Sequence, residues 1–176
     1  MLFKFRKKIF FDRSRDPIIR LRKHGHCPGH EHTLSALLFD WLRKNDTKLT
    51  NTIVFPGCGS GSYELAFLNK LKTIHVFDNI VMMDNDINEA DHKIWKNTLK
   101  PSNIIVERSF KNLCLHMKTS ADFNVFFFHK AKEAIEDPYY QKFIDICRKQ
   151  SSQQHYIHAF HKDGIDCIYS SLYNAM

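Results

Sequence analysis

The sequence predicts an α/β fold, a mostly parallel twisted sheet with helices on both faces. Two observations predict it. Short apolar runs alternate with amphipathic stretches from about residue 33 onward, the pattern of successive βαβ units. One of those runs, Thr52 to Phe55, leads directly into Pro56-Gly57-Cys58-Gly59-Ser60-Gly61 and then into a helical pattern. A strand, a tight glycine turn and a helix in that order make a ligand-binding βα unit.

The elements follow in order. Leu34, Leu37, Leu38, Trp41 and Leu42 have helical spacing, with Thr33 as the N-cap of a lead-in helix. Thr52 to Phe55 is the first strand and Tyr63 to Leu71 the helix after it. Ile80 to Met83 is the second strand, followed by a helix from about Asn88 to Leu99. Thr73 to Asp78 reads either as a strand of its own or as the end of the preceding helix. Pro101-Ser102-Asn103 breaks the chain before a third strand at Ile104 to Val106. Phe123 to Phe128 is a fourth strand, whose apolar run Val125 to Phe128 suits a strand buried on both faces. Pro138 opens a helix through Cys147, and His155 to Phe160 is a fifth strand. Beyond Gly164 the pattern is indistinct, with Cys167 to Leu172 the candidate for one more strand.

Composition narrows the class. A chain of 176 residues with 43% hydrophobic residues and 15 Phe suits one domain with a substantial core. No run approaches the roughly 20 apolar residues of a membrane span, so no transmembrane segment is expected. The five cysteines are scattered, odd in number and never arranged as CxxC, which disfavours a disulfide framework and points to a reducing, cytoplasmic setting. Through Lys23 nine basic residues stand against two acidic ones, a surplus equal to the whole net charge of +7. Residues 1–27 therefore read as a basic N-terminal arm and 28–176 as the folded domain. Residues 1–23 suit contact with nucleic acid phosphates or an acidic membrane surface. A mitochondrial-type presequence is the alternative, against which Asp12 and Asp16 speak. A solvated leader is the third reading.

The glycine loop resembles the first motif of class I S-adenosylmethionine-dependent methyltransferases. Its Pro-Gly-Cys-Gly-x-Gly form is similar to that of the thiopurine and thiol methyltransferase branch. The resemblance spans Thr52 to Phe160, and the loop is its specific part. It implies a Rossmann-like methyltransferase fold with S-adenosylmethionine as cofactor, held by Pro56, Gly57, Cys58, Gly59 and Gly61. Asp84, about 20 residues past the loop at the end of the second strand, is implied as the acceptor for ribose hydroxyls, with Asn85 beside it and Asp86 as alternate. Capping of the next helix by Asp84 and Asn85 is the structural alternative. Ser109 is implied as an adenine contact and Phe110 as a packing surface for the ring.

Three positions depart from the family pattern. Phe55 stands where an acid usually precedes the first glycine, Ser109 where an acid binds the adenine amino group, and Asn124 where the fourth strand often begins with Asp. A dinucleotide-binding site is the rival, but GxGxxG places its third glycine one position later than Gly61.

For chemistry, methyl transfer from a sulfonium needs alignment more than acid or base help. His129 and Lys130 follow the fourth strand at the ligand-binding end of the sheet and are the candidates for acceptor contact or deprotonation. Cys58 reads as a small packing residue. His24, His26, Cys27, His30 and His32 fall within nine residues, yet they lack a matching second half, and His155 and His158 alternate across a strand. No metal is expected, and the segment reads as a polar loop over the cofactor pocket.

Two functions follow. One is a methyltransferase acting on a small molecule or, through the basic arm, on RNA. The other is a catalytically inactive binding or scaffold protein that keeps the fold. Complete members of the resembled family add an antiparallel pair after the fifth strand. Its absence here would leave an edge for a second copy to cover, a homodimer.

Overall fold

Apolar side chains alternate between the two faces of the central strands, and each face requires its own cover of helices. In the computed structural model, which describes residues 7–12, 30–44, 46–119, 122–128, 137–149, 155–162 and 165–172, this produces an α/β Rossmann-like fold. The elements run β1 (Lys7–Asp12), α1 (His30–Lys44), β2 (Thr52–Pro56), α2 (Ser62–Leu71), β3 (Asn79–Met83), α3 (Glu89–Thr98) and β4 (Asn103–Glu107). They continue with α4 (Phe110–Lys118), β5 (Asn124–Phe127), α5 (Pro138–Lys149), β6 (His155–Lys162) and β7 (Ile165–Leu172).

The seven strands form one sheet in the order β1-β7-β6-β5-β2-β3-β4. From β4 to β6 every pairing is parallel, while β7 runs antiparallel to both β6 and β1. Strand order therefore reverses between β2 and β5, and the crevice beyond their carboxyl ends is the place where open α/β sheets bind ligands.

Ile53, Phe55, Ile80, Met82, Phe126 and Phe128 face one way and pack with α1, α2 and Trp95 of α3. Val54, Val81, Met83, Val125 and Phe127 face the other way and meet Phe110, Leu113 and Met117 of α4 with Phe143 and Ile144 of α5. Phe55 is central to the first face. Its ring stacks on Phe128 at 6.2 Å, meets Phe67 edge-on at 6.5 Å and lies 6.2 Å from Phe126. An acid at this position would be a buried charge among phenyl rings.

Asn124 is also structural. It is fully buried at the start of β5, the end of the strand away from the crevice. Its Oδ1 accepts from the Thr50 amide at 2.7 Å and the Thr50 hydroxyl at 3.1 Å, while its Nδ2 donates to the Lys48 carbonyl at 3.3 Å. An ionised carboxylate here could accept but not donate.

Four expectations are corrected. The lead-in helix begins at His30, not after Thr33. Thr73 to Asp78 is turn and loop, in which Phe77 is buried while Ile74 and Val76 are exposed. A helix at Phe110–Lys118, absent from the sequence reading, follows β4. The candidate strand at Cys167 to Leu172 is present as β7, whereas Lys7–Asp12, from the segment read as an arm, pairs with β7 as an edge strand of the sheet, the fourth correction. The edge after the fifth strand, which a second copy would have covered had the antiparallel pair been absent, is paired with β7. Among the described residues no helix is long and apolar enough to cross a membrane.

The Asn124→Asp variant, which restores the acid of the resembled family, is expected to lose about 2–3 kcal/mol by removing the donor to Lys48 and burying a charge. A melting temperature about 4–10 °C below the parent chain is the expected readout; an unchanged one would show that this amide does not hold β5 to the segment before β2.

Candidate functional site

The Pro56-to-Gly61 turn leaves β2 at the switch point and enters α2 within a few residues. Gly57, Gly59 and Gly61 have φ of 66°, 54° and 79°, a region that side-chain-bearing residues rarely adopt. Gly61 also answers to a close neighbour. A Cβ at Gly61 would lie 2.5 Å from Nε1 of Trp95, whereas one at Gly59 would meet nothing within 4 Å. Gly61 is thus closed in by the protein, and Gly59 faces open space.

The loop is fastened from outside itself. The Cys58 amide donates to the Met83 carbonyl at 3.0 Å, and the Gly59 amide to Oδ2 of Asp84 at 2.9 Å. The Trp95 indole donates to the Ser60 carbonyl at 3.0 Å. Within the loop, the Gly61 amide donates to the Cys58 carbonyl at 2.9 Å. Three of the loop amides therefore already have acceptors in the protein.

Asp84 lies at the end of β3, facing the loop. Besides Gly59, it accepts from the Asp86 amide on Oδ1 at 3.0 Å, and each oxygen keeps a second lone pair for a ligand hydroxyl. The cap of α3 is neither Asp84 nor Asn85 but Asn88, whose side chain accepts from the Asp91 amide. Asn85 is exposed beside the loop, and Pro56 is the buried last residue of β2.

The residues after β4 are placed differently from the expectation. Ser109 is the N-cap of α4 and accepts from the Asn112 amide at 3.1 Å. Phe110 turns inward, only 4% exposed, with its ring 5.4 Å from Tyr140 and 5.7 Å from Phe143. Its ring serves the core, which corrects its expected role as an adenine platform. His129 and Lys130 lie outside the described residues.

Two site residues escaped the sequence reading. Trp95 is the sole buried residue of α3, and a lone tryptophan on a mostly polar helix was the available signal. Glu64, in the first turn of α2, is 1% exposed, and its Oε2 has no hydrogen-bond partner. Burial, aided by the charge of Asp84, pushes its carboxyl up to about 8 against a smaller lowering by its own backbone amide. Burial, with Glu64 and Asp84 next, also holds the Cys58 thiol far above its usual range. Cys58 stays protonated and is not a nucleophile.

Among the described residues no group of three or more His, Cys, Asp or Glu is placed to hold a metal ion. A cavity of about 390 Å³ lies between α4 and α5, lined by Lys111, Cys114, Lys118, Tyr139, Lys142 and Ile146 among others. None of the loop residues lines it.

The folded chain keeps the Glu64 proton to about pH 8, whereas the unfolded chain releases it near 4.5. The folded state binds the extra proton between these values, so stability falls as pH rises through that window. Glu64→Gln is expected to melt with the parent chain at pH 4 and to exceed it at pH 8.5 by roughly 1–3 kcal/mol. Equal melting at both pH values would mean that Glu64 does not hold its proton. Gly61→Ala should cost about 2–4 kcal/mol from the positive φ and the contact with Trp95; urea unfolding measures it, and an unchanged midpoint would contradict that packing.

Comparison of the chain with protein-family models, with curated proteins and with solved structures returns no match.

Proposed function

We propose that the chain binds S-adenosylmethionine at the β2–α2 loop and transfers its methyl group to an acceptor held at the crevice between β2 and β5. The observation that carries this reading is the state of the loop amides. A dinucleotide site needs loop amides free to cradle a pyrophosphate. Here the Cys58, Gly59 and Gly61 amides have protein acceptors, and the Asp84 carboxylate stands at the Gly59 amide. Such a surface repels phosphate and favours a phosphate-free ligand that carries hydroxyls and positive charge. An adenosine sulfonium with an amino-acid tail has that chemistry.

In this reading Asp84 accepts the ribose hydroxyl protons with the lone pairs left over from Gly59 and Asp86. The open space over Gly59 admits the ligand. The chemistry needs a reactive alignment rather than a dedicated acid or base, and His129 and Lys130 are the proposed acceptor contacts. The acceptor is a small molecule or RNA. RNA would give steeply salt-dependent binding, tested by neutralising Lys4, Arg6 and Arg13 rather than by deletion, since β1 pairs with β7.

The alternative is a binding or scaffold protein without turnover. The departures that suggested it have structural reasons at Phe55 and Asn124, which weakens the case for lost function but leaves methyl transfer itself to be measured.

Calorimetric titration with S-adenosylmethionine and its demethylated product is expected to give saturable binding with a Kd in the low micromolar range, about 8 kcal/mol. Gly59→Arg fills the open space and should abolish binding, and Asp84→Ala should weaken it at least tenfold. A folded chain that binds neither compound would overturn the cofactor reading. Binding without transfer to any small-molecule or RNA acceptor would favour the scaffold.

A further inference from the structure

Helix α4 carries Lys111, Leu115 and Lys118 at positions i, i+4 and i+7, a stripe along one face. Helix α5 repeats the arrangement with Tyr139, Lys142 and Ile146 at i, i+3 and i+7. Both stripes line the cavity of about 390 Å³ between the two helices. On their core side the helices are joined: the Cys114 thiol donates to the Tyr139 carbonyl at 3.6 Å, and the Phe110 ring meets Tyr140 and Phe143. Both pack on the face of the sheet opposite α2, so the cavity is separate from the glycine loop.

The lining has two chemical parts. Leu115, which is 58% exposed, the half-buried Ile146 and the Tyr139 ring supply an apolar wall. Lys111, Lys118 and Lys142 bring three exposed ammonium groups to the same cavity, on stems that lie along apolar surface while the charged heads stay in water. Nζ of Lys142 stands over the Tyr139 ring, 5.1 Å from its centroid. Asp145 is the one acid of the lining, and it accepts from the Gln141 side chain at 3.0 Å. A cationic rim over an apolar wall suits an anion that carries an apolar body. Nucleic acid phosphates would need the lysines but not the wall. A partner helix would find only the nine residues of α4, about 13 Å of groove. The volume instead matches small-molecule sites, which run from about 300 to 1,000 Å³. We propose that this cavity binds a small amphiphilic carboxylate, with its apolar body against Leu115, Ile146 and Tyr139 and its carboxylate among the three lysines.

The test titrates the full chain with decanoate, with decanol and with acetate, each kept below its aggregation or solubility limit, and follows the amide NMR shifts of α4 and α5. Decanoate is expected to give saturable shifts at these helices, decanol to bind about tenfold more weakly, and acetate to give none. Added salt should weaken decanoate and leave decanol unchanged. The double variant Lys118→Gln, Lys142→Gln should lose about tenfold for decanoate alone, whereas Leu115→Ser should weaken decanoate and decanol together. All three positions are exposed, so both variants should melt with the parent chain. Equal binding of decanoate and decanol, or decanoate binding unchanged in the double variant, would overturn the proposal, as would no saturable shift at α4 and α5. Binding to vesicles of phosphatidylcholine and phosphatidylserine without binding of decanoate would overturn it in favour of a membrane surface.

Discussion

The bond from the Gly59 amide to the Asp84 carboxylate, 2.9 Å long, joins the two parts of the molecule on which the site depends. One is the loop leaving β2 and the other the carboxyl end of β3. The parallel register that sets Pro56 beside Met83 brings them together, and the Cys58 amide on the Met83 carbonyl continues the same connection. With Trp95 holding the Ser60 carbonyl from α3, three elements fix the loop before any ligand arrives. Such preorganisation lowers the ordering cost of binding. It also pairs the Cys58 and Gly59 amides with acceptors of the protein itself.

The departures at Phe55 and Asn124 from the family pattern become intelligible on the same grounds. The face of the sheet under α1 and α2 is built from phenylalanine rings, and Phe55 sits among Phe67, Phe126 and Phe128. A charge there would be buried without a partner. Asn124 lies at the opposite end of the sheet from the loop, where an amide bridges Thr50 and Lys48. Among the described residues, the acid that this chain buries lies in the first turn of α2, at Glu64.

Much of the α/β order was legible because periodicity is a local signal: continuous apolar runs at residues 53–55, 80–83 and 125–127 became the parallel strands β2, β3 and β5. The glycine loop was legible because positive φ selects for glycine. The helix Phe110–Lys118 was missed although Phe110, Leu113, Cys114 and Met117 have helical spacing, because Ser109 and Phe110 were read as ligand contacts before being read as a cap and a core residue. The pairing of Lys7–Asp12 with β7 spans almost the whole chain, and no local pattern encodes such a partner. Glu64 reads locally as a first-turn acid of α2, and its burial is a tertiary property that no local pattern encodes.

The central claim is that this loop accepts a cationic, phosphate-free nucleoside. Its most direct test is an amide nitrogen–proton NMR titration that follows Gly57, Gly59, Gly61 and Asp84, with S-adenosylhomocysteine and a nicotinamide dinucleotide added in separate series. The account expects saturable shifts at these residues with S-adenosylhomocysteine and none with the dinucleotide at the same concentration. Shifts there with the dinucleotide alone would contradict it, and would mean that the loop amides exchange their protein acceptors for phosphate.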